Sequence, residues 1–473
     1  MSKQVVPNSL NFSSNPMSLA IASKSEWRKF GVVGPAFYEP TGTDTIRIRL
    51  SSNQILDPMN SWFQVRVHNT SGNVGALKYS IFDIFSSYRL ISNGSVVEEV
   101  RELPLLANFL LKNTVSREWV KETGVTSYGM KPPYEKVIIP ATNATDGAGK
   151  IRYVETHQAW CPDERRTSNI EGGNNTIAQN AKKIYNFQLP FGILAQSQKY
   201  IPLGLLGSET FIEFQLNKST DALFNSQNDA CKYRVDEVYY HAHLISTENS
   251  LYTKLKAKMA SNADKSLQIA GQQFTTFVNS TNASDTGSTQ IISTQAQSAK
   301  SIFTFMVPSD NRNKHNKFAN HGYLANINEY HYDVGGKMLP PHKVKISDEN
   351  MGELHSHLKI ALGQYGDLDG CLVEYAHLTN DKTSAIAKTA AQDVTDDVGI
   401  LRGDACFAMS LESFTKHGGS DIESGTDFAS KNIPLKFVYS CSSNTEAAQH
   451  IISYVLQDCI TYITDSGSIM VSL

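Results

Sequence analysis

Lys182–Leu216, KKIYNFQLPFGILAQSQKYIPLGLLGSETFIEFQL, decides how the rest of the chain is read. Ile184–Leu189 and Phe211–Leu216 alternate apolar with polar residues, the period of a half-buried β-strand with one face on a core. Between them, Pro190-Phe191-Gly192 and Pro202-Leu203-Gly204 break any long helix, yet the link is too apolar for a solvated loop. The stretch predicts two strands joined by a tucked-in connection.

The composition has room for such strands to be repeated. At 473 residues the chain exceeds one typical domain, and two large β-sandwiches would use its length. A net charge of -3 supplies no general attraction for polyphosphate or an anionic membrane, so a nucleic-acid grip across the body is not expected. Met1–Phe30 holds only Lys3, Lys24, Arg28 and Lys29 as basic residues, so it is no Arg-rich arm. Cys161, Cys231, Cys371, Cys406, Cys441 and Cys459 are widely spaced, indicating neither a zinc ribbon nor a disulfide scaffold. No signal-peptide pattern or bilayer-length apolar run is present, and synthesis in a reducing cytosol is expected. The N-x-[ST] sequons at Asn69, Asn93, Asn143, Asn217 and Asn279 are then read as unmodified.

Taken in order, Met1–Glu39 is a polar arm with an amphipathic patch at Leu19–Phe30 that predicts a short helix. Thr45–Leu50 and Trp62–Val67 alternate as the first strands of a sandwich, with a turn expected at Pro58-Met59-Asn60. Apolar runs at Ile81–Phe85, Tyr88–Ser92 and Val96–Val100 surround Asn93-Gly94, a pair that tolerates the positive φ of a type I′ hairpin turn. Leu103–Leu111 follows at helical spacing. Residues 114–181 read as a long loop insertion, holding strands at Tyr134–Ile139 and Ile151–Trp160 and an exposed tip at Glu171–Thr176. Arg234–Ile245 is the strand that closes the first unit.

A helix at Leu251–Asp264 marks the boundary, with a linker at 248–265, and then the order of elements starts again. Strands are predicted at Gln268–Val278, Ala299–Val307 and Ala325–Tyr332. A Gly335-Gly336 turn, a strand at Lys337–Leu339 and a helix at Met351–Leu362 repeat the earlier hairpin and helix. After a second loop insertion at 366–401 come closing strands at Ala405–Leu411, Ile433–Tyr439, His450–Thr464 and Ile469–Leu473.

Candidate chemistry is sparse. His241 and His243 share a strand face, but no Cys or carboxylate cluster completes a metal site around them. His355 and His357, two apart on a helix, point to different faces. Asp367/Asp369 and Asp396/Asp397 read as solvated loop acids. Gly204 and Gly207 belong to the buried turn. G-x-S-x-G, H-E-x-x-H and Walker-type loops are absent from the sequence, so no catalytic residue, metal ligand or cofactor is assigned and an enzyme is not expected.

The Asn93-Gly94 hairpin with its helix, Leu189–Leu216, Ile302–Val307 and Pro434–Tyr439, in this order, resemble double jelly-roll major capsid proteins of the virophage and polinton-like type, in the adenovirus-hexon-like lineage. The resemblance implies an all-β fold of two eight-stranded jelly-roll sandwiches in tandem, with short helices and long loop insertions. It places an arm at 1–39 and jelly rolls at 40–247 and 266–473, with the insertions standing outward as towers. It further implies homotrimeric, pseudo-hexagonal capsomers in an icosahedral virion shell, contacting neighbouring capsomers and minor capsid and penton proteins. The arm would reach inward, toward an internal membrane or those minor proteins, and no sequence-specific nucleic acid is implied. The alternative from the residues is a carbohydrate-binding or glycoside-hydrolase β-sandwich that stacks sugars on Trp160, Tyr128 and Tyr134.

Overall fold

The computed structural model describes residues 23–42, 44–130, 137–145, 151–156, 176–195, 199–207, 209–225, 230–247, 249–262, 265–315, 317–347, 350–364, 405–412, 425–430, 433–441, 448–465 and 467–472. The first half contributes β1 (Ser23–Gly31), β2 (Thr45–Arg49), β3 (Ile55–Asn69), β4 (Phe85–Ser92), β5 (Ser95–Arg101), β6 (Lys182–Phe187), β7 (Thr210–Leu216) and β8 (Tyr233–Thr247). The second contributes β9 (Ser266–Thr281), β10 (Gly287–Ile292), β11 (Ala299–Pro308), β12 (Ile327–Val334), β13 (Lys337–Lys345), β14 (Phe407–Ser410), β15 (Leu435–Cys441) and β16 (Gln449–Thr464). Helix α1 (Leu103–Thr114) follows β5, α2 (Asn249–Ser261) lies between the halves, and α3 (Gly352–Ala361) follows β13.

Strand order shows the duplication directly. The first half has one sheet ordered β1-β8-β3-β6 and another ordered β2-β7-β4-β5; the second has β9-β16-β11-β14 and β10-β15-β12-β13. Adding eight to each strand number converts one half into the other, and the fold is two jelly-roll sandwiches in tandem. Both hairpins carry the left-handed residues their turns require: Asn93 and Gly94 at φ 47° and 80°, Gly335 and Gly336 at 61° and 85°.

Alternation builds each core. Ile46, Ile48, Phe63, Val65, Val67, Ile212 and Phe214 point inward and are buried. Phe63 meets Phe187, Phe214 and Tyr240 at centroid distances of 5.3, 5.2 and 4.6 Å. The opening stretch bridges the layers, because β6 belongs to one sheet and β7 to the facing one. Its link buries Leu189, Phe191, Leu194, Ile201, Leu203 and Leu205. In the second sandwich, Ile302, Met306, Phe407, Met409, Ile451 and Val455 face Tyr330, Tyr332 and Phe437.

Strand β11 departs from simple alternation: every residue from Ala299 to Val307 is buried. Ile302 and Met306 fill the second core, whereas Phe303, Phe305 and Val307 point the other way into the first half's cluster. There Phe109 of α1 lies 5.5 Å from Phe303 and 5.0 Å from Phe305. A strand covered on both faces is mostly apolar, and the polar members here are paired: Lys300 with Glu412, Ser301 with the Ala361 carbonyl and Thr304 with Ser453.

Three local expectations are corrected. The described part of the predicted Leu19–Phe30 helix is strand β1, paired antiparallel with β8 from Ser23↔Thr247 to Gly31↔Tyr239. Long-range backbone bonding outweighs a weak helical pattern in so short a segment, and the described portion of the 1–39 arm is therefore sheet. Pro58-Met59-Asn60 does not separate two strands but bulges within β3. Asp57 pairs with His243 and Trp62 with His241, so 58–61 oppose Ala242 alone. Ile81–Ile84 is a 3₁₀ turn, because Ser80 and Asp83 form a reciprocal capping box there. The sequence reading also passed over β10. Of the insertion strands, Val137–Thr145 pairs with Ile151–Thr156, while the tip at 171–175 lies outside the described residues.

Phe305→Ala empties a site packed from both halves and is expected to lower unfolding free energy by roughly 3–5 kcal/mol. Val278→Ala, at a half-exposed position, should stay within about 0.5 kcal/mol. Denaturant unfolding of the two variants measures both.

Candidate functional site

The histidine pair singled out by sequence lies on the outward face of the first sheet. His241 Nε2 is 2.8 Å from Gln64 Oε1 and its ring stacks on Trp62 at 5.0 Å. His243 Nδ1 is 3.1 Å from Asp57 Oδ2 and its ring meets Trp27 at 5.0 Å. Burial and the nearby Lys29 ammonium lower the His241 pKa. On α3, His357 lies 3.8 Å from Glu353, which also meets His342 at 2.5 Å. Among the described residues no group of three His, Cys, Asp or Glu is placed to hold a metal ion. Cys231, Cys406, Cys441 and Cys459 form no disulfide; Cys161, Cys371, Asp367, Asp369, Asp396 and Asp397 lie outside the described residues.

Of the three residues expected to stack sugars, only Tyr128 is among the described residues, and it is not exposed. Tyr128 is buried against Phe82 and Trp119, and its hydroxyl accepts a hydrogen bond from the Gln188 backbone N–H. Trp160 and Tyr134 lie outside the described residues.

The dense polar chemistry is at the seam between the sandwiches. Residues 309–315 and 317–323 leave the end of β11 and cross onto the first half. Phe318 stacks on Phe224 at 5.1 Å, and Asn313 N–H donates to Asp221. Lys78 Nζ, on a fully buried side chain, donates to the carbonyls of Lys314 and Lys317. Burial pushes its pKa down to about 8. Asp83, also fully buried, accepts from the N–H groups of Tyr79 and Ser80 and from the amides of Asn108 and Asn320 at 3.0 and 2.8 Å. Burial raises its pKa, and these four donors oppose the rise. His315 is read as the neutral tautomer: Nδ1–H donates to Leu223 O at 3.0 Å and Nε2 accepts from Cys231 N–H at 3.2 Å. Arg312 pairs with Glu102 at 3.0 Å, and Tyr454 Oη donates to the Glu102 carbonyl.

A second buried acid supports the opening stretch. Glu98 on β5 accepts from Ile193 N–H at 3.3 Å in the tucked-in link and lies 3.5 Å from Tyr88 Oη. Its other oxygen has no hydrogen-bond partner among the described residues. Gly192 has φ +82°, and a Cβ there would sit 2.2 Å from that carboxylate, so glycine alone fits. Desolvation raises the Glu98 pKa to about 7.

Sequence reasoning missed Lys78, Asp83, Glu98, Asn108 and Asn320. The available signal was a polar residue inside an apolar run, as with Asp83 within Ile81–Phe85 and Asn108 within the Leu-rich helix. Such a group must find a buried partner. The residues at this seam fasten one sandwich to the other.

No family model matches the chain, and no curated protein sequence matches it. Solved structures do. PBCV-1 VP54, fitted into a reconstruction of the virophage Sputnik, aligns with a TM-score of 0.57 at 11% identity, covering 98% of this chain and 99% of that one. The Faustovirus major capsid protein aligns with a TM-score of 0.55 at 9% identity, over 97% of this chain and 92% of that one. The mavirus major capsid protein gives 0.50 at 10% identity, over 100% and 96%. At such identities the likeness is one of fold, and it runs through both sandwiches.

The buried acid gives a pH signature. A carboxyl whose proton is held more tightly in the folded chain lends stability that is complete below about pH 4.5 and is lost as pH rises through about 7. Glu98→Gln should remove on the order of 3 kcal/mol of that pH dependence, leaving the variant the more stable protein at pH 8; denaturant titrations at pH 5 and 8 provide the check. Asn320→Ala takes one donor from Asp83 and should cost about 1–3 kcal/mol at pH 7 in the same assay.

Proposed function

Because the chain carries the double jelly-roll fold of major capsid proteins, we propose that it is itself a major capsid protein, assembling as pseudo-hexagonal homotrimers that pave an icosahedral virion shell. The observation that carries this reading is the side-by-side weld of two sandwiches with the same strand order, one sheet being covered on both faces. Such a chain is a double tile, and three copies about a three-fold axis display six similar sandwiches. The tiles are residues 40–247 and 266–473, joined through 248–265, with β1 added to the first. The role is structural rather than enzymatic and calls for no cofactor.

Partners follow from the tile. Neighbouring capsomers meet its flanks, minor capsid and penton proteins meet its rim and vertices, and the residues ahead of β1 run inward toward those proteins or an internal membrane. The insertions at 114–181 and 366–401 form the outer surface, apart from the helical segment 117–130, which places Val120, Tyr128 and Met130 in the first core. No sequence-specific nucleic-acid contact is assigned, in keeping with the net charge of -3.

An obligate trimer buries about 2,000 Å² or more per contact. Purified chain is expected to sediment as a trimer at micromolar concentration and to give uniform shells or hexagonal tiles in negative stain. A stable monomer under those conditions overturns the proposal.

A further inference from the structure

The two sandwiches share their strand order but not their surroundings. In the second, the outward row of β11, Phe303 with Phe305 and Val307, packs into the first half's core cluster against α1. In the first, the equivalent rows are Trp62, Gln64 and Arg66 on β3 and Tyr239, His241 and His243 on β8. These remain partly exposed, and Trp27 on β1 is 63% exposed. The helices show the same asymmetry. Every residue of α1 from Leu103 to Asn113 is buried, whereas α3 buries only Leu354, Leu358 and Ala361. One sheet-to-helix contact is thus made inside the chain, and one sheet face and one helix face of the same kinds are left over.

We infer that these two leftover faces are the halves of a single intermolecular contact. The outward face of β1-β8-β3-β6 receives α3 and the adjoining β13 of a second copy of this chain, as β9-β16-β11-β14 receives α1 within it. The inference rests on the trimeric reading above and adds the surface by which the trimer closes. Because the two faces differ, the contact is heterologous, the type that generates a ring.

The chemistry of the open face fits this occupant. The internal contact is phenylalanine-rich, like a domain core. The open one is aromatic and polar at once: Trp62 stacked on His241, Trp27 against His243, and Lys29 over the Tyr239 ring at 5.3 Å. Tryptophan and tyrosine set among hydrogen-bonded polar groups typify interfaces formed after each partner has folded. Opposite them the second copy would bring Met338, 41% exposed on β13, and His357 and Ile360, partly exposed and one turn apart on the same face of α3.

Radical footprinting of the full-length chain tests the assignment. In the trimer, Trp27, Trp62 and Tyr239 should be oxidised at least tenfold more slowly than in monomer obtained by dilution or by Met338→Glu. Trp27→Glu and, separately, Met338→Glu should each weaken trimerisation at least tenfold in sedimentation while leaving the monomer's melting temperature unchanged. A trimer in which these side chains stay as reactive as in monomer overturns the inference and leaves the trimeric reading standing. A chain that stays monomeric overturns both. Protection already present in the monomer and lost on deleting residues 1–22 would give the face to the chain's own N-terminal segment, and likewise overturns the inference.

Discussion

The structure depends on covering the outward row of β11. Phe303, Phe305 and Val307, with Ile452 and Tyr454 beside them on β16, make an apolar surface that water would not tolerate open. Phe109 of α1 closes over it, and α1 in turn is held against the first sandwich. The two halves are therefore less two beads on a string than one body with a common interior. The polar groups of the seam sit where that apolar contact has already excluded water, which is why Asp83 needs four donors and Lys78 needs two carbonyls.

Much of this was legible in the residues. Strict alternation in Phe211–Leu216 and the Asn93-Gly94 pair gave strands and a turn, because a half-buried strand and a positive φ each restrict which residues fit. The restart of strand, glycine turn, strand and helix in the second half gave the duplication. The Ile302–Val307 run, apolar on both faces except at Thr304, also carried the information that its sheet is covered on both faces. What could not be read was whatever depends on a distant partner. Strand β1 is specified by β8, more than two hundred positions away, and its own sequence looks as much like a short helix. Residues 309–323, rich in Asn, His and Lys, look like a solvated loop until the buried carbonyls and acids they meet are known.

The histidines show the same limit in the candidate site. Their shared face followed from strand geometry alone. Their setting between two tryptophans did not, since Trp27 comes from β1 and Trp62 from beside the β3 bulge. The bulge itself holds Asp57 and Ser61 in place, with Ser61 donating to the Asp57 carbonyl and accepting from His243 N–H. A proline in the middle of a strand pattern was the visible trace of that irregularity.

The carboxylate of Asp83 carries one more implication. Its donors come from both sandwiches, Asn108 from one and Asn320 from the other, at 3.0 and 2.8 Å. Tilting the halves against each other by even an ångström or two would strip a donor from an anion that water cannot reach. The junction therefore has no slack. In any curved array built from this chain, the bending must be shared out among the joints between molecules, while each molecule travels as a stiff paving stone of fixed angle.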